Sequence, residues 1–289
     1  MTAWVDGELE ILKSWIRDRE AIRKAKESGA PKPWTADPLL RDYRWCNVRR
    51  MDDRVSRALF EHWYSRNGDR LSSLKRALFA RLFNWPESLD AIVDNPDNAR
   101  ELLLSRAQQG RKVFGGAYVI PGVPGRGKVD SICDLIDYIG SRERFVMRSS
   151  MRETWFELTK FDGIGSFLAG QVVADLAHLP DGRQWEDADR WAPLGPGSAR
   201  GINRLRGLPK DRSVLQADFD RLLPELTAVL RPHIEEIWTD RQLQAMDIQN
   251  CLCEFDKTRR LQMKEGKVRA RYDGKQEDAG LDAQQRLFA

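Results

Sequence analysis

The sequence predicts an all-α protein, and three observations support this prediction. Apolar residues recur through most of the chain at the three- and four-residue spacing of amphipathic helices. Strand and helix patterns do not alternate, which argues against a doubly wound α/β fold. Of the 289 residues, 41% are apolar and 32% are charged, so a sizeable core can form beneath a very polar surface.

The helices are predicted in chain order from this periodicity and from the Gly and Pro residues that end it. The first ends at "ESGAPKP", and the turn "SRNGD" separates the next two. Because a proline inside a helix lacks the N–H donor, the helix after residue 212 is expected to be interrupted at Pro224 or Pro232. The predicted helices are 6–27, 50–64, 69–84, two within 86–109, 129–140, 149–160, 165–178, 213–238 and 241–260.

The other segments are predicted as loops or as a tail. "RKVFGGAYVIPGVPGRGK" breaks the helical pattern and allows one short hairpin near 113–121. Residues 179–201 read mostly as loop. We therefore expect an N-terminal helical extension over 1–35, a helical catalytic domain over 36–261 and a basic, partly disordered tail over 262–289.

Composition excludes several classes of protein. The spacing of the cysteines does not suggest a disulfide framework, which favours a reducing compartment. The three histidines are unclustered, so no metal site is expected. No run approaches the ~18 apolar residues of a membrane span, and no signal peptide is evident, so a cytoplasmic protein is expected. The net charge of +4 permits nucleic-acid binding. The cysteines are Cys46, Cys133, Cys251 and Cys253.

A Gly-Ile-Gly turn separates the helices predicted at 149–160 and 165–178. Glycines let a backbone approach a phosphate closely, and the N–H groups that open the second helix attract an anion. This segment, 149–178, therefore predicts a helix-hairpin-helix contact with the DNA backbone. A plain packing turn is the alternative. The residues expected to contact DNA are Gly163, Ile164, Gly165 and Ser166.

An acidic cluster, "WEDADRW", follows this turn by about twenty residues. The turn and the cluster together resemble the helix-hairpin-helix DNA glycosylase superfamily, in which an aspartate lies at that separation. The resemblance implies a catalytic role for Asp187, with Asp189 as the near rival. Bifunctional members also carry a lysine just after the hairpin, where this chain has Ser166 and Phe167. A lyase is therefore not expected, and a loop acid that caps a helix is the alternative for Asp187.

Two further motifs could receive an anion. Arg50 and Asp53 are three residues apart, so on a helix they would share a face, where an arginine could bind a phosphate and a carboxylate could act as a base. A solvated helix with surface ion pairs is the alternative. "GVPGRGKV" nearly spells a phosphate-binding loop, but Val129 replaces the Ser or Thr that would bind magnesium. Lys128 could still meet an anion as a point charge.

Two motifs in the C-terminal half also carry candidate binding residues. "GPGSARGINRLRG" contains Arg200 and Asn203, which suit either a phosphate or ligand site or a solvated basic helix. "NCLCEFDKTRR" places Glu254 three residues before Lys257, so the two share a helix face. An amphipathic helix with a charged face is the alternative.

Five segments taken together resemble the phage alpha-glutamyl/putrescinyl thymine pyrophosphorylases, also called amino acid:DNA transferases. They are "RWCNVRRMDDR", "GGAYVI" followed by Lys128, "FDGIG", "GPGSARGINRLRG" and "LCEFDK", in this order over residues 36–272. A related helical domain occurs with phage hydroxymethyluracil DNA kinases. The resemblance implies a glycosylase-like fold that replaces the phosphate or pyrophosphate of phosphorylated 5-hydroxymethyluracil in DNA with an amine.

The resemblance also implies roles for residues and partners. Positive groups would hold the leaving phosphate, a carboxylate would take a proton from the amine, and the "NVRRMDD" and "CEFDK" motifs would bind substrate. The implied partners are duplex DNA with a modified thymine, a free amino acid or polyamine and an upstream DNA kinase. The resemblance further implies a phage-encoded protein that acts in the host cytoplasm without a cofactor. The candidates are Arg50, Lys128 and Arg200 for phosphate, Asp187 or Asp53 for the proton, and Asn47, Asn203, Glu254 and Lys257 for substrate.

Two other functions remain open at this point. A monofunctional DNA glycosylase would use Asp187 to stabilise an oxocarbenium ion or to activate water. A non-catalytic DNA-binding protein would use only the hairpin.

Overall fold

The computed structural model describes residues 2–66, 70–115, 122, 125–238 and 243–266. These residues are mostly helical and include no strand, so the all-α prediction is confirmed. Most of the hairpin predicted near 113–121, and with it most of the "GGAYVI" segment, lies outside the described residues. The tail beyond residue 266 lies outside them as well.

Thirteen α-helices occupy the described part of the chain. They are α1 Asp6–Glu27, α2 Pro38–Asp42, α3 Arg54–Ala58, α4 Ser73–Phe83, α5 Pro86–Ile92, α6 Ala99–Gln108, α7 Lys128–Gly140, α8 Glu143–Val146, α9 Met151–Leu158, α10 Ser166–Leu176, α11 Pro196–Leu205, α12 Gln216–Ile237 and α13 Ala245–Gln262. Short 3₁₀ turns lie at Arg50–Asp52 and Pro96–Asn98, and a π-helical turn, Leu59–Tyr64, continues α3.

Two of the predicted helices differ from the structure. The stretch 50–64 is divided into the 3₁₀ turn, α3 and the π-helical turn, and Asp53 has an extended backbone at the end of the 3₁₀ turn. The expectation that Arg50 and Asp53 share a helix face is therefore wrong. The predicted interruption of α12 is also wrong. The helix runs through Pro224 and Pro232 because both prolines lie on its exposed side while leucines on the opposite side are buried.

The described residues form two compact units. One contains the residues before Arg54 and those from Asp189 onward, with α1, α2 and α11–α13. The other is Arg54–Ala188, with α3–α10. In the first unit α1 packs against α11, α12 and α13 and buries Leu12 and Ile16. The division expected at residues 35 and 261 stays a prediction, but α1 belongs to the core of this unit.

The closest packing in the first unit is between α11 and α13. A Cβ atom on Gly201 would lie 2.5 Å from the carbonyl oxygen of Leu252, and one on Gly197 would lie 3.0 Å from the Sγ of Cys253. The glycines of "GPGSARG" therefore permit two helix backbones to approach each other.

In the second unit, α10 is fixed to α4 by a buried ion pair. Asp175 on α10 accepts hydrogen bonds from the guanidinium of Arg81 on α4 and from the hydroxyl of Tyr64, the latter at 2.6 Å. All three side chains are buried, so α10 is held in a defined position. None of the helices in the described part of the chain combines the length and apolar character that a membrane span requires.

Candidate functional site

The segment Arg44–Asp53 lies against α13 in the first unit. Asp247 Oδ1 accepts the backbone N–H of Arg50 at 2.8 Å, and Asn250 Nδ2 donates to the carbonyl oxygen of Asn47 at 3.1 Å. The motif "NVRRMDD" and the helix that carries "CEFDK" are thus joined by hydrogen bonds between residues about two hundred positions apart.

The same segment closes on itself around Asp53. Asp53 Oδ1 accepts the backbone N–H of Asn47 at 2.7 Å, and Asn47 Nδ2 donates to the carbonyl oxygen of Asp52 at 2.6 Å. Asn47 therefore holds the loop in the conformation that presents the Asp53 carboxyl.

The Asp53 carboxyl has a pKa raised from its ordinary value of 3.8 to about 6. Burial is the main cause, because it penalises the charged form, and the negative charge of Glu254 adds to it. The N–H of Asn47 and the positive charges of Arg50 and Arg19 oppose the rise. A carboxyl that titrates near neutrality is a stronger base than an ordinary aspartate.

Lys257 and Glu254 lie one helical turn apart on α13, with 3.2 Å between Nζ and Oε2. The Lys257 ammonium also donates to the carbonyl oxygen of Arg44 and lies 4.3 Å from the centre of the Trp45 ring. Burial, with the negative charges of Glu254 and Asp53, raises the pKa of the Cys46 thiol well above its ordinary value. The thiol therefore stays protonated and is a poor nucleophile.

Arg200 and Asn203 on α11 have internal partners. Arg200 Nε donates to Asp256 Oδ2 at 2.7 Å, and Arg204 Nε donates to the other oxygen of this buried carboxylate at 3.0 Å. Asn203 is fully buried and donates to two carbonyl oxygens of the following loop, at Lys210 and Arg212. These contacts fix α11 to α13 and hold the loop that follows α11.

The hairpin predicted from the Gly-Ile-Gly sequence joins α9 to α10 in the second unit. Gly163 has a positive φ of 89°, which only glycine adopts readily, and a Cβ atom on Gly165 would have no atom within 4 Å. Ile164 is 2% exposed and anchors the turn in the core, whereas Gly165 and Ser166 are exposed. The open N-terminus of α10 is therefore accessible.

Asp187 and Lys128 also lie in the second unit. The two carboxylate oxygens of Asp187 accept the backbone N–H groups of Met151 (2.7 Å) and Arg152 (3.0 Å), so Asp187 caps α9. This is the alternative that the sequence left open for that residue. Lys128 opens α7, is exposed, and holds its ammonium 4.4 Å from the centre of the Phe114 ring.

The structure thus brings five candidates together along α13 in the first unit. The hairpin residues, Asp187 and Lys128 belong to the second unit. Within the described residues no cluster of three or more potential metal ligands occurs. The five candidates that meet are Asn47, Arg50, Asp53, Glu254 and Lys257.

Sequence reasoning missed three residues that build this site. Asp247 and Asn250 anchor the loop, and Arg19 of α1 donates to it. One signal was present for Arg19: it continues the spacing of Leu12 and Ile16 and so lies on the apolar face of α1, where an arginine is unusual.

Comparison with known proteins identifies a family whose model spans most of the chain. The family model for the 5-hmdU DNA kinase, helical domain, matches residues 8–268. The chain is also similar to the 5-hmdU DNA kinase of Bacillus phage SP10, with 28% identity over 204 residues that cover 60% of this chain and 32% of the relative. The chain therefore matches about a third of the length of that relative. No solved structure matches the chain.

Proposed function

The chain belongs to the family of the 5-hmdU DNA kinase helical domain, and from this premise we propose that it is an enzyme of phage thymine hypermodification. It replaces the phosphate or pyrophosphate of phosphorylated 5-hydroxymethyluracil in duplex DNA with an amine. The similar phage protein is named for its action as a kinase on 5-hmdU in DNA, so a chain with the same helical domain suits an adjacent step on the same base. The five segments that resemble amino acid:DNA transferases support the amine as the second substrate.

One observation carries the proposal most directly, namely the Asp53 carboxyl, which the loop holds through the Asn47 N–H at 2.7 Å and whose burial raises its pKa to about 6. An amine must lose a proton as it forms a bond to carbon, and a carboxylate beside it can accept that proton. At neutral pH a carboxyl with this pKa is mostly ionised yet binds a proton more tightly than an ordinary aspartate. Asp53 is therefore the proposed general base.

The reaction proceeds on a base taken out of the helical stack, because neighbouring bases within the stack cover the faces of the uracil ring that assists the loss of phosphate. The bond between the methylene carbon and the phosphate oxygen breaks, and phosphate leaves with the electron pair, assisted by the uracil ring. The amine nitrogen then bonds to the methylene, and its proton passes to Asp53. Arg50 neutralises the leaving phosphate, and Glu254 and Lys257 bind the incoming amine or its carboxylate.

The second unit supplies the contact with the DNA backbone. The exposed Gly163, Gly165 and Ser166 of the turn and the N-terminus of α10 suit a phosphate group, and Lys128 supplies a further positive charge. Contacts of this kind position a duplex without reading its sequence. Asp187 is the second proposed proton acceptor, although both its oxygens also cap α9.

Product analysis by mass tests the proposal. The protein is incubated with duplex DNA containing phosphorylated or pyrophosphorylated 5-hydroxymethyluracil and with a pool of amino acids and polyamines, and the DNA is digested to nucleosides. A nucleoside whose mass matches replacement of the phosphate by an amine is the expected product. Abasic sites with free base would instead identify a glycosylase, and unchanged but bound DNA would identify a binding protein.

The named relative favours one second candidate, a kinase that acts on 5-hydroxymethyluracil in DNA. In that case the chain would bind DNA with 5-hydroxymethyluracil and contribute to phosphoryl transfer from a nucleotide. Incubation of such DNA with γ-labelled ATP and the protein distinguishes the two. Label on the base would support the kinase role and would contradict the proposed amine transfer as the only activity of the chain.

A further inference from the structure

Arg19 has no role in the proposed reaction, yet its guanidinium is buried beside the loop that carries Asp53. The residue is 8% exposed. Its Nε donates to the carbonyl oxygen of Cys46 at 2.9 Å, and an Nη donates to that of Trp45 at 3.4 Å. A buried arginine is costly unless its charge and its donors are satisfied, so this contact is a defined part of the fold.

The carbonyl oxygen that Arg19 holds belongs to the peptide group that holds Asp53. The C=O of Cys46 and the N–H of Asn47 are the two ends of one planar peptide unit. Arg19 holds the oxygen end at 2.9 Å, and the N–H end donates to Asp53 Oδ1 at 2.7 Å. A guanidinium on the oxygen of a peptide strengthens the donor at its other end, because linked hydrogen bonds polarise one another.

We propose that Arg19 is a positioning residue, which acts through the Cys46–Asn47 peptide to hold and orient the Asp53 carboxylate. The catalytic consequence rests on the proposed function, whereas the coupling between Arg19 and Asp53 does not. Helix α1, which carries Arg19, is then a necessary part of the site.

The coupling has a definite sign. Arg19 favours the ionised form of Asp53 through its positive charge and through the Asn47 N–H that it orients. Without Arg19, fewer groups counteract the effect of burial, so the pKa of Asp53 rises. The other groups that act on Asp53 or on its neighbour Cys46 come from the loop itself and from α13. Arg50 of the loop and Glu254 of α13 act on both Asp53 and Cys46, and Lys257 of α13 acts on Cys46.

The experiment measures the titration of Asp53 directly in the full chain without substrate. Carboxyl ¹³C resonances are followed against pH by NMR, and the Asp53 signal is identified by its loss in Asp53→Asn. Arg19→Met is expected to move the Asp53 midpoint upward by about one pH unit. Arg19→Lys keeps the positive charge but not the planar guanidinium. The Asp53 midpoint in this variant should therefore lie closer to that of the unaltered protein.

Arg17→Met is the matched control, because Arg17 lies on the same helix with 57% of its side chain exposed and pairs with Asp18. It should leave the Asp53 midpoint unchanged. If Arg19 only supports the fold, Arg19→Met will lower thermal stability without moving the midpoint, and that result overturns the proposal. Should Arg19→Met not fold, the titration is repeated with Arg19→Gln, which also lacks the charge, and an unshifted Asp53 midpoint in that variant overturns the proposal equally.

The pH profile of amine transfer gives the second measurement. The acid limb for Arg19→Lys should move in the same direction as the NMR midpoint, with a lower maximal rate and little change in KM for DNA. If the unaltered protein transfers no amine, the proposed function fails while the NMR titration still decides the role of Arg19.

Discussion

Asp53→Asn should make the folded protein more stable at neutral pH while it stops amine transfer. The Asp53 carboxyl has a pKa of about 6 against an ordinary 3.8. The folded state therefore binds this proton more tightly than the unfolded chain, and stability falls as the pH rises through that interval. The full effect is about 3 kcal/mol, at about 1.4 kcal/mol for each pH unit of difference.

The pH dependence isolates this carboxyl from the rest of the chain. At about pH 5 its contribution has already lowered the free energy of unfolding by about 2 kcal/mol, and at about pH 8 by about 3 kcal/mol. The free energy of unfolding of the unaltered protein should therefore fall by about 1 kcal/mol more than that of Asp53→Asn between these two pH values. Asparagine does not ionise, and its side-chain oxygen can still accept the N–H of Asn47.

Urea unfolding at the two pH values measures the difference. Asp18→Asn is the control, because Asp18 is a half-exposed carboxylate of α1 and its replacement should change stability by less than about 0.5 kcal/mol. Equal pH dependence in Asp53→Asn and the unaltered protein would refute the raised pKa. Full transfer activity in Asp53→Asn would remove Asp53 from the reaction, whatever its effect on stability.

Three further predictions test other parts of the structure. Gly201→Ala should lower the free energy of unfolding by about 1–3 kcal/mol, since its Cβ would meet a backbone oxygen at 2.5 Å. Gly165→Ala, whose Cβ would meet no atom within 4 Å, should change it by less than about 0.5 kcal/mol, and urea unfolding compares the two variants. Gly165→Val should weaken DNA binding equally on duplexes of different sequence, and a sequence-dependent loss in fluorescence anisotropy would show that the turn reads bases. Asp187→Asn should lower the free energy of unfolding by about 1 kcal/mol, because it weakens the cap of α9. The same variant should abolish amine transfer but spare DNA binding. Full transfer would exclude Asp187 from the mechanism.

Local signals in the sequence predicted much of the fold. The apolar spacing of α1 and its Gly/Pro stop gave the bounds Asp6–Glu27 correctly, and the same reasoning placed α9 and α10 on either side of the Gly-Ile-Gly turn. These elements depend on residues that are neighbours in the chain, which is why one sequence sufficed.

The site depends on contacts that the sequence could not reveal. The 3₁₀ turn at Arg50–Asp52 is held by Asp247, which lies 197 positions from Arg50, so the local pattern indicated a helix instead. The glycines of "GPGSARG" suggested a ligand loop, but Gly201 is required by the backbone of α13. In both cases the determining partner is remote in sequence and adjacent in space.

The ionised Asp53 carboxyl lowers the stability of the folded protein, and this loss of stability bears on its function. If the residue served only to hold the N–H of Asn47, asparagine would do so without the loss of about 3 kcal/mol at neutral pH. Asp247 also has a pKa raised by burial, but its two oxygens accept the N–H groups of Arg50 and Gln244, so its charge serves the fold. A proton acceptor is what a carboxylate offers and an amide does not. The ionisable group at Asp53 is therefore consistent with the proton transfer that we propose at this position.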